Sequence, residues 1–243
     1  MKLFAILLAL VLVLCSVSAV ADITAKVDVG VVVVTATKNC RIVVSCGKES
    51  HYYDVSAGEI LLPLTFGKGK YTVTEYFQVS GRKYEKGKSV SFSYKGDTNA
   101  AYLQPNFIVN YNENSLAAKT AEELCKAAAT DKEKAQILYK YLCKELTYDY
   151  AQAIYATNEN VGRYSVDVDA VLQKKSGVCY DISALFVAMC RSQGITARLE
   201  VGNGHAWAVV VLDGKEAIVD IASKLQTGNA KASGFKYEPE EMF

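Results

Sequence analysis

The apolar residues of this chain change their spacing once, near Pro105, and this change limits the fold more than any other feature of the sequence. Between Asp22 and about Asp97, short runs rich in Val, Thr, Tyr and Ser are broken by glycine-containing turn signals. The breaks come roughly every eight to twelve residues, which is typical of a β-sandwich. After Pro105 the apolar residues recur at helical spacing. We therefore predict an α+β chain with an all-β, sandwich-like domain at 22–104 and a second domain at 105–243.

The first 21 residues have the features of a secretory signal peptide. Lys2 is followed by an apolar run and then by the small residues of an A-x-A-like cleavage site. We therefore predict cleavage before Asp22 and a secreted or extracytoplasmic protein. The uncharged run at 3–21 is also about long enough to span a bilayer, so an uncleaved anchor, with membrane contact through this segment alone, stays open.

The charge balance argues against nucleic acid as a partner. The chain has 27 basic and 26 acidic residues, with no basic block that could follow a phosphate backbone. His51 is the one histidine of the β half, and no second metal-type residue is spaced to join it. No Asp-rich loop suggests calcium. We therefore predict no metal site and no cofactor.

Of the seven cysteines, Cys15 lies in the signal segment, which leaves six in an exported chain and suggests disulfides. Geometry excludes two pairs, because the ends of one predicted strand lie about 20 Å apart and positions eleven apart on one helix about 16 Å. A bridge between Cys125 and Cys143 stays open, and otherwise we expect buried thiols that fill the core. The excluded pairs are Cys40 with Cys46 and Cys179 with Cys190.

Helices are predicted in the second half. Residues 115–129 have helical spacing, and Thr130 and Glu133 form a capping box that opens a second helix. The polar segment 151–171 lacks this pattern, and we predict a long loop there. Loops of that length in a compact domain are usually functional.

One cysteine stands at the predicted start of a helix. Gly177 belongs to a turn, and apolar residues then recur at helical spacing until Gly194. Cys179 is thus placed where unpaired N–H groups and the positive end of the helix dipole favour a nucleophilic thiolate. Asp181 opposes this effect with a nearby negative charge. The local pattern alone fits a buried, inert thiol equally well.

The stretch HAWAVVVLDGKEAIVDIA predicts a β-hairpin, because its Asp-Gly pair is a strong signal for a two-residue turn. That turn places Trp207 opposite Asp220 and His205 opposite Ala222. His205 and Asp220 then become diagonal neighbours on one face of the sheet. Structural roles for both residues are the alternative. Together with a cysteine at a helix start, they supply a nucleophile, a base and a carboxylate that orients the base.

The stretches SGVCYD, GHAW and VDIA, in this order, resemble the Cys, His and Asp motifs of the transglutaminase-like superfamily over about residues 107–221. The resemblance implies a papain-like fold in which a core helix packs on an antiparallel sheet. It implies that Cys179 is the nucleophile, His205 the general base and acid, and Asp220 the orienting group. The implied chemistry is attack on an amide carbonyl and formation of a thioester. One departure is that Ile-Ala follows the Asp, where Pro-Thr is usual.

Three aromatic residues near these motifs are predicted to bind substrate. Trp207 shares a face of the hairpin with His205, and simple core packing is the alternative. Tyr148 lies in a segment where related sequences carry a Tyr near the cysteine, which implies a role beside the oxyanion. Tyr180 directly follows Cys179.

The sequence therefore predicts an exported cysteine-dependent enzyme that acts on protein or peptide amide bonds, as a protease or amidase or by transglutaminase-type acyl transfer. Its expected partner is a protein or peptide substrate, or a cell-surface or wall component. The alternative is a non-catalytic surface or wall binding module that keeps the fold. The choice between water and amine as acceptor depends on how the site excludes solvent, which the sequence leaves open.

Overall fold

The computed structural model describes residues 23–159, 164–231 and 235–243. The predicted signal peptide lies outside these ranges. From residue 23 to 94 the regular structure consists of strands that form two antiparallel sheets, which confirms the prediction of an all-β N-terminal part. The strands are β1 (Ile23–Asp28), β2 (Val31–Ala36), β3 (Cys40–Cys46), β4 (Glu49–Val55), β5 (Gly58–Pro63), β6 (Gly69–Ser80) and β7 (Lys83–Tyr94).

The two N-terminal sheets have strand orders β1-β2-β5 and β4-β3-β6-β7. Every strand pair in them is antiparallel. Alternating residues of β4 are buried, with His51, Tyr53 and Val55 turned inward. This period of two is the pattern of a strand with one face in the core.

Both helices and strands follow residue 97, and the fold class is therefore α+β, as predicted. The elements are α1 (Thr98–Ala101), β8 (Val109–Asn110), α2 (Leu116–Cys125), α3 (Asp131–Glu145), β9 (Thr147–Tyr148), α4 (Tyr150–Glu159), β10 (Val166–Asp167), α5 (Val168–Lys174), β11 (Ser176–Gly177), α6 (Cys179–Ser192), β12 (Ala197–Gly202), β13 (His205–Leu212), β14 (Lys215–Val219), α7 (Ile221–Thr227) and β15 (Glu241–Met242).

Helix α6 lies at the centre of this second part. Its residues from Asp181 to Arg191 are all buried, as expected of a helix that is apolar on nearly every side. It packs against β12 and β13 of an antiparallel sheet with strand order β14-β13-β12-β15. A core helix on an antiparallel sheet is the arrangement that the resemblance implies.

The apolar core is continuous between the two parts of the chain. Buried residues from the N-terminal sheets and from the helices belong to one cluster. At the contact, the Phe243 ring packs 5.2 Å from the His51 ring and 6.3 Å from the Tyr53 ring, measured between centroids. The Phe107 N–H donates to the Leu61 carbonyl at 2.7 Å. The division near residue 104 stays a prediction.

The prediction of a long loop at 151–171 is wrong. Most of it is regular: α4 ends at Glu159, β10 pairs in parallel with β8, and α5 follows directly. Residues 160–163 lie outside the described ranges. The alanines of α4 favour a helix by intrinsic propensity, although this segment has no apolar stripe at helical spacing. The helix predicted at 115–129 ends earlier, at Cys125, whereas the capping box of Thr130 and Glu133 is confirmed.

All six cysteines within the described ranges are free thiols, so the pairing of Cys125 with Cys143 that the sequence left open is not formed. Burial raises the pKa of most of these thiols, as for Cys40, where it reaches about 11. Within the described ranges, no helix has the length and apolar character to cross a membrane.

Candidate active site

Helix α6 begins with Cys179, as predicted, and short strands fix its first turn. Strand β11 pairs in parallel with β9, which brings Gly177 level with Tyr148. A Cβ atom at Gly177 would lie 2.9 Å from the Asp181 Cβ, so only glycine lets the chain approach the helix this closely. The Cys179 side chain, at the tip of the helix, is half-buried.

The Asp181 carboxylate caps the same helix. It accepts from the Val178 N–H at 3.2 Å, from Gln152 Nε2 at 2.7 Å and from the Tyr164 hydroxyl. A carboxylate in the first turn stabilises a helix through its dipole. The Asp181 carboxylate, whose negative charge we expected to oppose a thiolate at Cys179, therefore accepts hydrogen bonds from three donors. Gln152 on α4 and Tyr164 before β10 supply two of them.

The hairpin of β13 and β14 forms with the predicted turn, since Leu212 pairs with Lys215. The predicted register holds as far as Ala208 opposite Val219, but the expected pairs of Trp207 with Asp220 and of His205 with Ala222 are not formed, because β14 ends at Val219 and the chain then enters α7. Asp220 is the N-cap of that helix, and its Oδ1 accepts from the Ser223 N–H at 2.9 Å. An Asp at the N-cap with helix-forming residues behind it favours this exit from the sheet.

The predicted contact between histidine and carboxylate is nevertheless present. His205 Nε2 lies 2.9 Å from Asp220 Oδ2. That same oxygen accepts from Ser223 Oγ at 2.7 Å and from the Tyr237 hydroxyl at 2.8 Å. Asp220 is fully buried. Burial by itself would raise the pKa of its carboxyl, but the hydrogen bonds from His205 and Ser223 outweigh it and hold that pKa below the ordinary value.

The His205 ring interacts with two other side chains of the site. Nε2 lies 2.9 Å from Asp220 Oδ2, and Cys179 is near enough to favour the charged ring, which leaves Nδ1 as the nitrogen available to the sulfur. Burial favours the neutral ring, but the interactions with Asp220 and Cys179 outweigh it and raise the pKa of His205 to about 9. At neutral pH the imidazole is therefore protonated beside the sulfur.

Tyr148, one of the predicted substrate-binding residues, contacts Cys179 directly. Its hydroxyl lies close to the backbone and side chain of Cys179 and to the Gln226 side chain, all of which influence its ionisation. Burial first, and the neighbouring Cys179 second, raise the pKa of Tyr148 to about 12. The phenol therefore keeps its proton at neutral pH and can donate it to the sulfur.

Of the other two predicted substrate-binding residues, Trp207 lies in the core and Tyr180 is partly exposed. Trp207 is fully buried, and its Nε1 donates to Glu200 Oε2 at 2.6 Å. Its ring centroid lies 6.2 Å from that of His205, so it supports the imidazole from within the core rather than lining open space. Tyr180 is half-buried, with its ring 4.9 Å from that of Tyr164.

Sequence reasoning missed Ser223 and Tyr237. Ser223 had a usable signal, because an Asp followed three residues later by a helical Ser is an N-cap pattern. Tyr237 had none, since it reaches Asp220 across 17 positions of the chain through tertiary folding alone. Phe235, whose ring lies 5.3 Å from that of His205, also gave no local signal.

The described residues hold no group of three or more His, Cys, Asp or Glu side chains that could bind a metal ion. An apolar cavity of about 260 Å³ lies between α3 and the β13–β14 hairpin. Asp220 lies at its edge, but neither Cys179 nor His205 lines it. Cys179 and His205 therefore lie outside this cavity.

The fold and the site together define a class: a papain-like α+β protein with a cysteine at a helix start, a histidine on the adjoining sheet and an aspartate at the N-cap of the helix that follows the sheet. Residues 118–220 match the model of the transglutaminase-like superfamily. The chain therefore carries a transglutaminase-like domain, as the sequence motifs predict. The match supports a cysteine-dependent enzyme in general.

Comparison with curated proteins gives no match. Several solved structures align with this chain, and these include the following three. A candidate cysteine protease from Cytophaga hutchinsonii aligns with a TM-score of 0.42 and 14% identity, over 76% of this chain and 72% of that one. A candidate protease from Parabacteroides distasonis has a TM-score of 0.35 and 18% identity, over 74% and 37%. A TGase has a TM-score of 0.34 and 23% identity, over 50% and 33%.

Proposed function

We propose that this protein is an exported cysteine-dependent enzyme that acts on amide bonds of proteins or peptides through a thioester. The observation that carries the proposal is the grouping of Cys179, His205 and Asp220, in which His205 Nε2 lies 2.9 Å from Asp220 Oδ2 and Cys179 helps to raise the pKa of the ring. A protonated imidazole beside the sulfur stabilises a thiolate, which is the nucleophilic form of cysteine.

In the first step the Cys179 sulfur attacks the amide carbonyl carbon, and the C–N bond breaks after the tetrahedral intermediate forms. His205 gives the Nδ1 proton to the departing nitrogen, which leaves as ammonia or an amine. The thioester then accepts water or a second amine. His205 takes a proton from this acceptor as the thiolate is released, which restores the starting state.

The oxyanion needs donors where the carbonyl oxygen becomes negative. The Cys179 N–H is such a donor, and in the free protein the Tyr148 hydroxyl lies close to both the backbone and the side chain of Cys179. Once the sulfur–carbon bond forms, the sulfur loses its negative charge and becomes a poor acceptor. The Tyr148 hydroxyl can then turn from the sulfur to the oxyanion and serve as a second donor.

Export and the partner are part of the same proposal. Residues 1–21 have the pattern of a signal peptide, which supports a secreted or extracytoplasmic location. Such a location favours substrates outside the cell, namely proteins, peptides or a component of the surface or wall.

The direct test supplies the purified protein with a glutamine-containing protein and a labelled primary amine. Mass spectrometry then separates cleavage, deamidation and amine incorporation. We expect product from wild type and from Cys190→Ala, a matched control on the same helix, and none from Cys179→Ala.

Alkylation by dilute iodoacetamide separates an enzyme from the binding module. Burial raises the pKa of the Cys190 thiol well above its ordinary value, and that residue is fully buried. We therefore expect Cys179 to react much faster than Cys190 in peptide mapping. Slow and equal labelling of both, together with no product, would favour the binding module instead.

A further inference from the structure

The segment from Phe235 to Phe243 reaches the site although it lies beyond the 118–220 match. Its far end is fixed to the sheet, because β15 pairs with β12 and the Glu240 N–H donates to the Val201 carbonyl at 2.8 Å. Its near end is held by Asn203, whose Nδ2 donates to the Lys236 carbonyl at 3.3 Å. The position of the segment beside the site is thus set by hydrogen bonds at both ends.

Between these two anchors, Tyr237 points at the buried carboxylate. Its hydroxyl donates to Asp220 Oδ2 at 2.8 Å, the oxygen that also faces His205 Nε2 at 2.9 Å. Its ring stands at 90° to the Trp207 ring with centroids 5.2 Å apart, an edge contact that fixes the ring in place. The hydroxyl and the imidazole therefore share one acceptor.

We propose that Tyr237 is a positioning residue for the pair of Asp220 and His205. Its hydroxyl holds the carboxylate in the rotamer that faces Nε2, and it takes up part of the negative charge that Oδ2 presents to the imidazole. His205 then releases its proton to a leaving group more readily than it would beside an unshared carboxylate. This inference rests on the proposed function, since only a reacting His205 needs such tuning.

Several other polar or charged groups lie near Asp220, His205 or Tyr237. Cys179 on α6 lies close to the ring, and Ser223 on α7 is the second hydroxyl donor to Oδ2. Tyr139 on α3 interacts electrostatically with Asp220, and Lys231 lies 5.9 Å from the centre of the Tyr237 ring. The carboxylate of Glu200 on β12 is occupied by its own ion pair and by the Trp207 indole.

The test is the titration of the His205 ring by NMR in protein with labelled histidines, which number only two. In Tyr237→Phe the carboxylate loses a donor and attracts the imidazolium more strongly. We expect the pKa of His205 to rise by about 0.5 unit or more. Ser223→Ala, which removes the other hydroxyl on the same oxygen, should move it in the same direction.

Tyr94→Phe is the matched control, because Tyr94 is itself a buried tyrosine whose hydroxyl donates a hydrogen bond, to the Asp97 carbonyl at 3.0 Å, in the N-terminal part of the chain. Its titration should coincide with that of wild type. No change or a fall in the His205 pKa of folded Tyr237→Phe and Ser223→Ala would overturn the inference. The titration needs no turnover, so an absence of product in the amine assay would count against the proposed function alone.

Discussion

At the scale of single residues, the protonation of His205 links the site to stability. The pKa of this ring rises from its ordinary 6.5 to about 9 on folding. A group whose pKa is raised on folding stabilises the folded state fully below its unfolded value, and this contribution is lost as the pH rises towards the folded value. The charged imidazole should therefore stabilise the fold at pH 6 and cease to do so above about pH 9.

Substitution of His205 by Gln measures this contribution. The unfolding free energy that separates wild type from His205→Gln should shrink between about pH 6.5 and 9, by at most about 3 kcal/mol. Titrating groups that do not interact with His205 are common to both proteins and cancel in the difference. Urea unfolding of both at several pH values gives the comparison, and a difference that stays constant with pH would contradict the raised pKa.

The Tyr148 hydroxyl gives a second prediction at this scale. In Tyr148→Phe the oxyanion loses its side-chain donor, so kcat should fall by about 10²-fold with little change in KM. Steady-state assays on the substrate found in the amine experiment measure both constants. Tyr150→Phe is a suitable control, since Tyr150 is 60% exposed in the same segment. An equal loss in both variants would mean that the hydroxyl at Tyr148 has no special role.

At the scale of elements, short sequence patterns predicted the features that depend only on neighbouring residues. The capping box at Thr130, the start of α6 and the two-residue turn of the hairpin each depend on a few neighbouring residues. Asp220 shows the limit of this reasoning. The strand pattern predicted that Asp220 lies beside His205 as a residue of the sheet, whereas in the structure it lies beside His205 as the N-cap of α7. The carboxylate arrives at the same place because the exit from β14 keeps it on the His205 side.

Contacts between distant segments could not be predicted. The helix α4 has no apolar stripe, and its Gln152 meets Asp181 only because the chain folds back on the start of α6. Tyr237 depends in the same way on the pairing of β15 with β12. Such contacts follow from the packing of the whole domain, and no short window of sequence contains them.

The start of α6 gives a prediction for an element. In Gly177→Ala the new methyl group would lie 2.9 Å from the Asp181 Cβ, so the strand or the helix must shift. We expect a loss of about 1–3 kcal/mol of unfolding free energy, typical of overpacking, together with slower alkylation of Cys179. Urea unfolding and peptide mapping measure the two effects. Ser176→Ala, on the same short strand, should change neither by much, and similar losses in both would remove the steric argument.

At the scale of the molecule, Arg191 joins segments that are far apart in the chain. Its guanidinium is buried at the end of α6 and donates to three backbone carbonyls. The distances are 2.7 Å to Ala197, 2.8 Å to Gln104 and 2.8 Å to Phe243. Gln104 lies in the connection between the N-terminal sheets and the helical part, so this one side chain ties the core helix to that connection and to Phe243. Burial lowers the pKa of Arg191 to about 10, which leaves it charged at neutral pH.

The core is continuous, and Arg191 ties α6 to the connection that leads from the N-terminal sheets. We therefore expect the N-terminal sheets and the transglutaminase-like domain to unfold together. Trp207, the single tryptophan, reports on the second part, and far-UV circular dichroism reports on all the strands. The two urea transitions should coincide in wild type and shift together in Arg191→Met by about 3 kcal/mol, since three backbone carbonyls lose their donor. Arg41→Met removes an exposed pair with Asp54 and should cost at most about 1 kcal/mol. Separate transitions in wild type would show instead that the two parts fold independently.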